Sequence, residues 1–174
     1  MRKKSLILIV ILGIGLFLKI LPSLQVHPTS TTAPDSSLYS VTYVVDGDTV
    51  KIMKGDHEET LRFLGINTPE VDGGYRRGEC FGPEASAETK KLLTGKNVRI
   101  QTDSTQSERD KYNRLLVYVF LEDGTNINEQ LIKTGFAREY TYAGSYQYQK
   151  EFRLAQDEAR ANGRGLWDKQ NCPN

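Results

Sequence analysis

Two neighbouring aspartates, Asp46 and Asp48, could hold a metal ion. The stretch "VDGDTV" places Asp46 and Asp48 on either side of a glycine. On an extended chain, residues two apart point to the same side, so both carboxylates would face one ligand. Calcium takes carboxylate and carbonyl oxygens from loops of this kind. An Asp-Gly pair after a strand is also typical of a hairpin turn, and both interpretations stay open at this point.

The stretch "RFLGINTPE" brings a cation, oxygen-bearing side chains and a carboxylate around one turn. Strict alternation would put Arg62 and Asn67 on opposite faces of a strand, so we expect Gly65 to mark a bulge or a bend. The proline after Thr68 keeps that residue extended. Glu70 then follows at the end of the strand, where Pro69 makes the turn rigid. The alternative is an ordinary turn or a helix start.

Basic residues surround a tyrosine in "RDKYNRL", just before a strongly apolar run. One interpretation is a solvated charged loop. The other is a phosphate-binding loop that contains Lys111 and Tyr112. In that case Arg114 enters the next strand, where its planar fork can reach two oxygens.

The predicted elements must bring these three stretches together. Three strands with short turns, one helix, two strands and two further helices are the order expected of a five-stranded oligonucleotide/oligosaccharide-binding (OB-fold) barrel. We therefore predict an α+β fold, a β-barrel with three helices, in which each stretch lies at a strand end. The predicted strands are "LYSVTYVVDGD", "TVKIMKGD", "ETLRFLGI", "KNVRIQTD" and "RLLVYVFLED", and the predicted helices are "GPEASAETKKLL", "NINEQLIKTG" and "YQYQKEFRLAQDEARANG".

The N-terminal part of the chain differs from the rest. Three basic residues precede a long apolar run, so residues 1–24 are predicted to be a cleaved signal peptide or an uncleaved membrane anchor through residues 5–24. Residues 25–38 are rich in Ser, Thr and Pro, which is typical of a linker. The folded domain is predicted at 39–174, secreted or on the extracellular face of the membrane.

The charge of the domain limits what it can bind without specific contacts. Four basic residues and one acidic residue precede residue 39, which leaves 19 basic and 21 acidic residues and a net charge of −2. A protein that coats nucleic acid non-specifically is usually strongly basic. A polyanion must therefore be held by a few well-placed cations, with a metal ion as a further source of positive charge. The length suggests one domain, and we expect a monomer.

The two cysteines and two histidines restrict the chemistry further. Outside the cell Cys80 and Cys172 are expected to form a disulfide, which would tie the C-terminus to a central loop. His27 lies in the linker and His57 at a turn, and neither is near a candidate site. Nucleases with a histidine base and zinc hydrolases with histidine ligands are therefore disfavoured.

Six ordered blocks, taken together, resemble the staphylococcal (thermonuclease-type) nuclease family over about residues 39–168. They are "VVDGDTV", "LRFLGINTPE", "GPEASAETKKLL", "DKYNRLLVYVF", "NEQLIKTGFA" and "ARANGRGLW". The resemblance implies an OB-fold nuclease that uses calcium to cleave DNA and RNA with little sequence preference and leaves 3′-phosphates. Single-stranded or breathing nucleic acid is the expected substrate.

The resemblance also assigns roles to individual residues. It implies that Arg62 and Arg114 are catalytic arginines and that Glu70 is the general base. Asn67 departs from the family pattern, because the best-known member has a carboxylate there. The implied calcium site comprises Asp48, Asn67 and the carbonyl of Thr68, with Asp46 beside these direct ligands. The implied nucleotide-binding residues are Lys111, Tyr112, Tyr140 and Tyr142.

Three functions are compatible with the pattern. The first is a secreted or membrane-tethered calcium-dependent nuclease. The second is a catalytically weak or silent nucleic-acid-binding module, and the third is a surface domain stabilised by its disulfide. Silent relatives typically lose the arginines, the glutamate or the aspartates. Because Arg62, Glu70, Arg114 and Asp48 are all present, the sequence favours the enzyme.

Overall fold

The computed structural model of the chain describes residues 37–73 and 77–172. Within these residues, seven strands and three α-helices follow one another in a mixed order, and a short 3₁₀ turn follows the last helix. The elements are β1 Tyr39–Val44, β2 Thr49–Lys54, β3 His57–Phe63, β4 Ile66–Asn67, α1 Gly82–Leu93, β5 Asn97–Gln101, β6 Leu115–Leu121, α2 Ile127–Lys133, β7 Arg138–Glu139, α3 Gln149–Ala161 and the 3₁₀ turn Gly165–Trp167.

Five of the strands close into a barrel in the order β1-β2-β3-β6-β5. The first three form an antiparallel meander, β3 pairs with β6 in parallel, and β5 returns to β1. The register sets Thr49 opposite Arg62, and Arg62 opposite Leu116. The prediction of a five-stranded OB-type barrel with three helices is confirmed. The register also brings the ends of β2, β3 and β6 to one rim, where the polar stretches lie.

Alternation along the strands fills the barrel with apolar side chains. Val50 and Ile52 of β2 and Leu61 and Phe63 of β3 are at most 1% exposed, and they face the same interior. Full burial of a side chain of this size stabilises a fold by about 1.5–3 kcal/mol. The polar residues between them are left to face solvent or the rim. The rim residues are thus carried on a packed and rigid support.

Two of the helices begin close to where the sequence predicts. α1 has Pro at its start and ends at Leu93, as predicted, and Asn126 caps α2 by accepting the N–H of Glu129 at 3.3 Å. The third helix was predicted from Tyr146, but α3 begins at Gln149. Tyr146 is buried in the core cluster and Tyr148 packs against it, so tertiary packing takes these residues out of the helix.

The predicted third strand is broken. The sequence pattern runs through Ile66, but β3 ends at Phe63 and the chain resumes as β4 after Gly65, which has φ +74°. β4 leaves the barrel and pairs with β7 in a separate two-stranded sheet that the sequence analysis did not predict. The glycine thus bends the chain, as its position suggested, and carries Asn67 away from the barrel strand.

The predicted disulfide is present. Cys80 and Cys172 are bonded with their Cα atoms 5.8 Å apart, and they close a loop of 92 residues. In the chain-entropy account, closure of so long a loop stabilises the fold by about 4–5 kcal/mol. The bridge joins the segment before α1 to the end of the chain, as predicted.

The predicted signal or anchor at 1–24 and nearly all of the linker at 25–38 lie outside the described residues. Within 37–73 and 77–172, no helix is long and apolar enough to cross a membrane.

Candidate active site

One cleft of about 650 Å³ collects the three polar stretches and a fourth segment between β7 and α3. Every residue that the sequence analysis assigned to catalysis, metal binding or substrate binding lines this cleft. These residues are Asp46, Asp48, Arg62, Asn67, Thr68, Glu70, Lys111, Tyr112, Arg114, Tyr140 and Tyr142. The fold therefore assembles residues that are up to 96 positions apart in the chain.

The turn between β1 and β2 holds the two aspartates in a compact bend. An Asp46 side-chain oxygen accepts the backbone N–H of Asp48 at 3.1 Å, so the two carboxylates do not lie on one side of an extended chain. The chain is not extended here because the side chain closes its own turn, but both aspartates line the same cleft. The bend packs tightly, since a Cβ on Gly47 would lie 2.6 Å from the hydroxyl oxygen of Thr68. Only glycine fits here.

The carboxylate of Asp48 lies at the centre of the site. Its Oδ2 accepts the N–H of Thr68 at 3.0 Å and lies 3.0 Å from an Nη of Arg62, and its Oδ1 accepts the hydroxyl of Thr49 at 3.2 Å. Burial raises the pKa of Asp48 above its usual value, and the positive charge of Arg62 acts against that rise. Any cation near this carboxylate favours its ionised form.

Arg62 is fixed from several directions. One Nη donates to the carbonyls of Phe63, at 2.6 Å, and Ile66, at 3.1 Å, and the other contacts Asn67 Oδ1 at 3.3 Å. The side chain is 14% exposed. The bend at Gly65 turns the chain back toward the guanidinium, which brings Ile66 and Asn67 within hydrogen-bond distance of it. The structure thereby brings Arg62 and Asn67 together.

The oxygen atoms near Asp48 suit a hard cation. Asn67 donates its amide N–H to the Thr68 carbonyl at 3.3 Å, while its Oδ1 accepts from Arg62 at 3.3 Å. Within the described residues, no group of three or more His, Cys, Asp and Glu side chains could hold a metal. The further oxygens near Asp48 are those of amide and carbonyl groups, which are ligands that calcium accepts.

The second arginine is anchored by a carboxylate that the sequence analysis did not single out. Arg114 donates from Nε to Asp110 Oδ2 at 2.7 Å, and a terminal nitrogen also lies 2.7 Å from that oxygen. Its other terminal nitrogen donates to the hydroxyl of Thr49 at 3.3 Å. Since Thr49 donates to Asp48, the two arginines are linked through one hydrogen-bonded chain. Arg114 is 27% exposed and remains accessible from the cleft.

Asp110 also shapes the loop before β6. Its Oδ1 accepts the backbone N–H groups of Tyr112 at 2.9 Å and Arg114 at 3.0 Å, while Asn113 adopts φ +65°. Partial burial acts to raise the pKa of Asp110, but these hydrogen bonds and the Arg114 guanidinium hold it below its usual value. An Asp three residues before an Asn is a turn signal that could have predicted this role.

Arg109 has a different role from the other cations of its stretch. It forms a two-point contact with Glu59 of β3, at 2.9 Å and 2.7 Å, and donates to the carbonyl of Asn113 at 2.9 Å. The hydrogen bond from Arg109 lowers the pKa of Glu59. Arg109 therefore stabilises the barrel wall and the loop, and together with Lys111 and Arg114 it also lines the cleft.

Three tyrosine rings line the cleft together with the charged residues. Tyr112 is 61% exposed, with the Lys111 Nζ 5.0 Å and the Arg114 Cζ 5.3 Å from its ring centroid. Tyr140 and Tyr142 have ring centroids 6.4 Å apart. Tyr142 is 81% exposed. Rings this open are available for stacking on planar ligands.

Glu70 lies half-buried on the cleft wall after Pro69. Its backbone carbonyl accepts the N–H of Glu79 at 2.9 Å. The same carbonyl lies so close to Gly82 that a Cβ there would overlap it. The start of α1 thus packs against the backbone of Glu70 and restrains it at the cleft wall.

A family model described as staphylococcal nuclease homologue matches residues 60–169. The chain belongs to the staphylococcal nuclease family. It is 37% identical over 129 residues to a thermonuclease of Staphylococcus hyicus, covering 74% of this chain and 75% of that protein. A thermonuclease of Staphylococcus intermedius is 36% identical over 140 residues, covering 80% and 82%. Endonuclease YncB of Bacillus subtilis is 35% identical over 126 residues, covering 72% of this chain and 59% of the relative.

Family membership confirms the resemblance deduced from the six blocks. The chain is a nuclease, a hydrolase whose substrate is nucleic acid.

Proposed function

We propose that the chain is a calcium-dependent nuclease that hydrolyses phosphodiester bonds of DNA and RNA and leaves 3′-phosphates. The observation that carries the proposal is the arrangement of Arg62 and Arg114 around Asp48, with Glu70 on the same cleft wall. Two fixed guanidinium groups and a carboxylate within one cleft are what attack of water on a phosphodiester requires.

The proposed roles follow from the charges and partners of these residues. Glu70 takes the proton from the attacking water. Arg62 and Arg114 face the phosphoryl oxygens and stabilise the negative charge that grows there and on the leaving group. Asp48 and Asp110 hold the two arginines in place, so little reorganisation is needed during the reaction.

Calcium would be held by Asp48, by Asn67 through its amide oxygen and by the carbonyl of Thr68, with Asp46 adding negative charge nearby. When bound, the ion supplies a positive charge that anchors a phosphate oxygen. Asn67 gives the site one fewer negative charge than two carboxylates would. The expected consequence is weaker calcium binding, because ligand charge sets calcium affinity.

Tyr112, Tyr140 and Tyr142 would hold the flanking nucleotides. Stacking of a base on an aromatic ring contributes about 1–3 kcal/mol and is tolerant of sequence. A base must leave its duplex to stack in this way, so single-stranded or breathing nucleic acid is the proposed substrate. Lys111 adds a cation for a neighbouring phosphate.

We further propose that the enzyme acts outside the cell, secreted or tethered through residues 5–24, and as a monomer. The Cys80–Cys172 bridge supports an oxidising compartment.

Digestion of heat-denatured DNA and of RNA by the purified chain tests the proposal. Calcium, magnesium and a chelator are compared, and the ends of the products are identified. Cleavage that depends on calcium and leaves 3′-phosphates is expected. Cleavage that proceeds equally in chelator, or 5′-phosphate products, would contradict it.

The lost charge at Asn67 favours a second candidate, a catalytically weak or silent nucleic-acid-binding module. In that case the chain would bind a labelled single-stranded oligonucleotide but would not cleave it with either ion. The retention of both arginines and Glu70 in the cleft supports the enzyme instead.

A further inference from the structure

The segment between β7 and α3, residues 140–148, is named here the tyrosine loop. It exposes Tyr140 and Tyr142 to the cleft at 47% and 81%. Such exposed rings contribute little packing of their own. The shape of the loop must therefore be set by other residues, and two of them, Glu139 and Tyr146, have no role in the chemistry proposed above.

The carboxylate of Glu139 closes the tyrosine loop. One of its oxygens accepts the hydroxyl of Thr141 at 2.6 Å and the hydroxyl of Tyr146 at 2.9 Å. These two donors lie on either side of Tyr142 in sequence, so a single oxygen joins both flanks of the exposed ring. The side chain is only 12% exposed, and Arg153 lies 3.8 Å from its other oxygen.

Tyr146 connects the loop to the bend that carries Arg62 and Asn67. A Cβ on Gly65 would lie 2.6 Å from the Tyr146 ring, so ring and glycine are in direct contact. The hydroxyl lies 3.3 Å from the Gly65 carbonyl, which also accepts the N–H of Tyr140 at 2.9 Å. Burial, and then the bond to Glu139, raise the pKa of Tyr146, so its single proton stays available for donation.

We propose that Glu139 and Tyr146 are positioning residues that hold Tyr140 and Tyr142 at a fixed place relative to the Arg62–Asn67 bend, and so set the affinity for single-stranded nucleic acid. The inference rests on the proposed function, because it assigns those tyrosines to substrate binding. The hydrogen bond from the Tyr146 hydroxyl to the Glu139 carboxylate orders the loop before the substrate arrives, which lowers the entropy cost of binding.

The test uses Tyr146→Phe, which keeps the ring against Gly65 and removes only the hydroxyl. Glu139→Gln is the second variant, because it keeps the size and removes the charge. Tyr148→Phe is the matched control. It also removes a half-buried hydroxyl, but one that donates to Gln101 of β5 at 2.9 Å and not to the bend. KM and kcat on denatured DNA are measured for the full chain, together with Kd for a fluorescein-labelled oligothymidylate in chelator by anisotropy.

Loss of one such bond is worth a few-fold in affinity, so we expect Tyr146→Phe to raise KM and Kd about three- to tenfold. We expect kcat to stay within about twofold, and Tyr148→Phe to leave KM unchanged. When Tyr140 and Tyr142 are both replaced by Ala, the added Tyr146→Phe change should have no further effect, since it acts through those rings.

A purely structural role would lower the melting temperature of Tyr146→Phe while leaving KM and Kd at the wild-type values, and that result would overturn the inference. An equal effect in the background without Tyr140 and Tyr142 would overturn it as well. If the wild-type chain cleaves nothing, the proposed function fails, but the Kd comparison in chelator still decides the positioning role.

Discussion

At the scale of single residues, the site depends on pairs of opposite charge that fix each other. Asp48 holds Arg62, and Asp110 holds Arg114, at 2.7–3.0 Å. The arginines are therefore preorganised, which is how a fixed charge contributes most to stabilising a transition state. The carboxylates are as important to the geometry as the cations that are proposed to face the substrate.

Replacement of Asp110 by Asn should lower kcat about tenfold, because Arg114 loses the ion pair that holds it in place. The side chain must then be ordered during the reaction, at a cost in entropy. KM should change less. Steady-state kinetics on denatured DNA measure both. The control is Asp123→Asn, since Asp123 also accepts a backbone N–H two residues on, from Thr125 at 2.9 Å, but does not line the cleft. An equal loss in both variants would contradict a specific role for Asp110.

Asn67→Asp should strengthen calcium binding about tenfold, since a second carboxylate adds charge to the proposed ligand set. Titration calorimetry measures the affinity directly, and the calcium concentration for half-maximal cleavage should fall in parallel. Asn97→Asp adds the same charge at an exposed site on β5 and should change neither. Unchanged calcium affinity in Asn67→Asp would show that this side chain is not a ligand.

At the scale of elements, the bend at Gly65 decides where the site residues go. β3 ends at Phe63, and the bend moves β4 out of the barrel to pair with β7. This pairing joins the Arg62–Asn67 stretch to the tyrosine loop. The glycine is required for two reasons, its φ of +74° and the Tyr146 ring packed against its Cα.

Gly65→Ala should lower the free energy of unfolding by about 2–4 kcal/mol, of which about 1–2 kcal/mol is backbone strain and the rest is the clash with Tyr146. Urea unfolding measures the loss. Gly55→Ala separates the two contributions, because Gly55 has a similar φ of +67° with nothing within 4 Å of an added Cβ. Equal losses in the two variants would mean that the contact with Tyr146 costs nothing.

The sequence predicts the barrel strands and α1 well because their signals are local. Alternation marks β2, and a proline followed by an acidic residue marks α1. The β4–β7 sheet is missed because two residues carry no periodicity, and its pairing depends on the bend at Gly65. α3 is predicted too long because burial of Tyr146 overrides a helical pattern.

The site is predicted as a set of residues, but the contacts between them are not. All eleven assigned side chains reach one cleft. The anchors Asp110 and Glu139 were not singled out, although the spacing of Asp110 and Asn113 is a turn signal. The contact of Glu139 with Tyr146 depends on the folded loop. The contact of Arg109 with Glu59 is missed because the two residues are 50 positions apart in the chain.

At the scale of the whole molecule, buried hydrogen-bonded carboxylates link stability to pH. Asp103 is 6% exposed and accepts the hydroxyl of Tyr118 and the N–H of Gln147, both at 2.7 Å. Burial acts to raise its pKa, but these bonds hold the pKa of Asp103 below its usual value. The unfolded chain therefore binds this proton more readily, so the stabilisation is present above about pH 4 and is lost on acidification.

Asp103→Asn should lower the free energy of unfolding at pH 7 by about 1–3 kcal/mol, because hydrogen bonds to a charged acceptor are lost. It should also flatten the fall in stability between about pH 5 and pH 3. Urea unfolding across that range measures both effects. Asp157→Asn, on the exposed face of α3, serves as the control. A pH dependence as steep as that of the wild type would show that Asp103 does not contribute to it.

The proposed mechanism depends on the carboxylate of Glu70, which takes the proton from the attacking water. Its most direct test is the single-turnover rate of cleavage of denatured DNA with saturating calcium, compared among the wild type, Glu70→Gln and Glu122→Gln. Glu122 is exposed and outside the cleft. We expect Glu70→Gln to lose at least about a hundredfold in rate while still binding labelled single-stranded DNA, since general-base catalysis contributes about 10²–10⁴-fold. Glu122→Gln should match the wild type. A Glu70→Gln variant that cleaves at the wild-type rate would contradict the account.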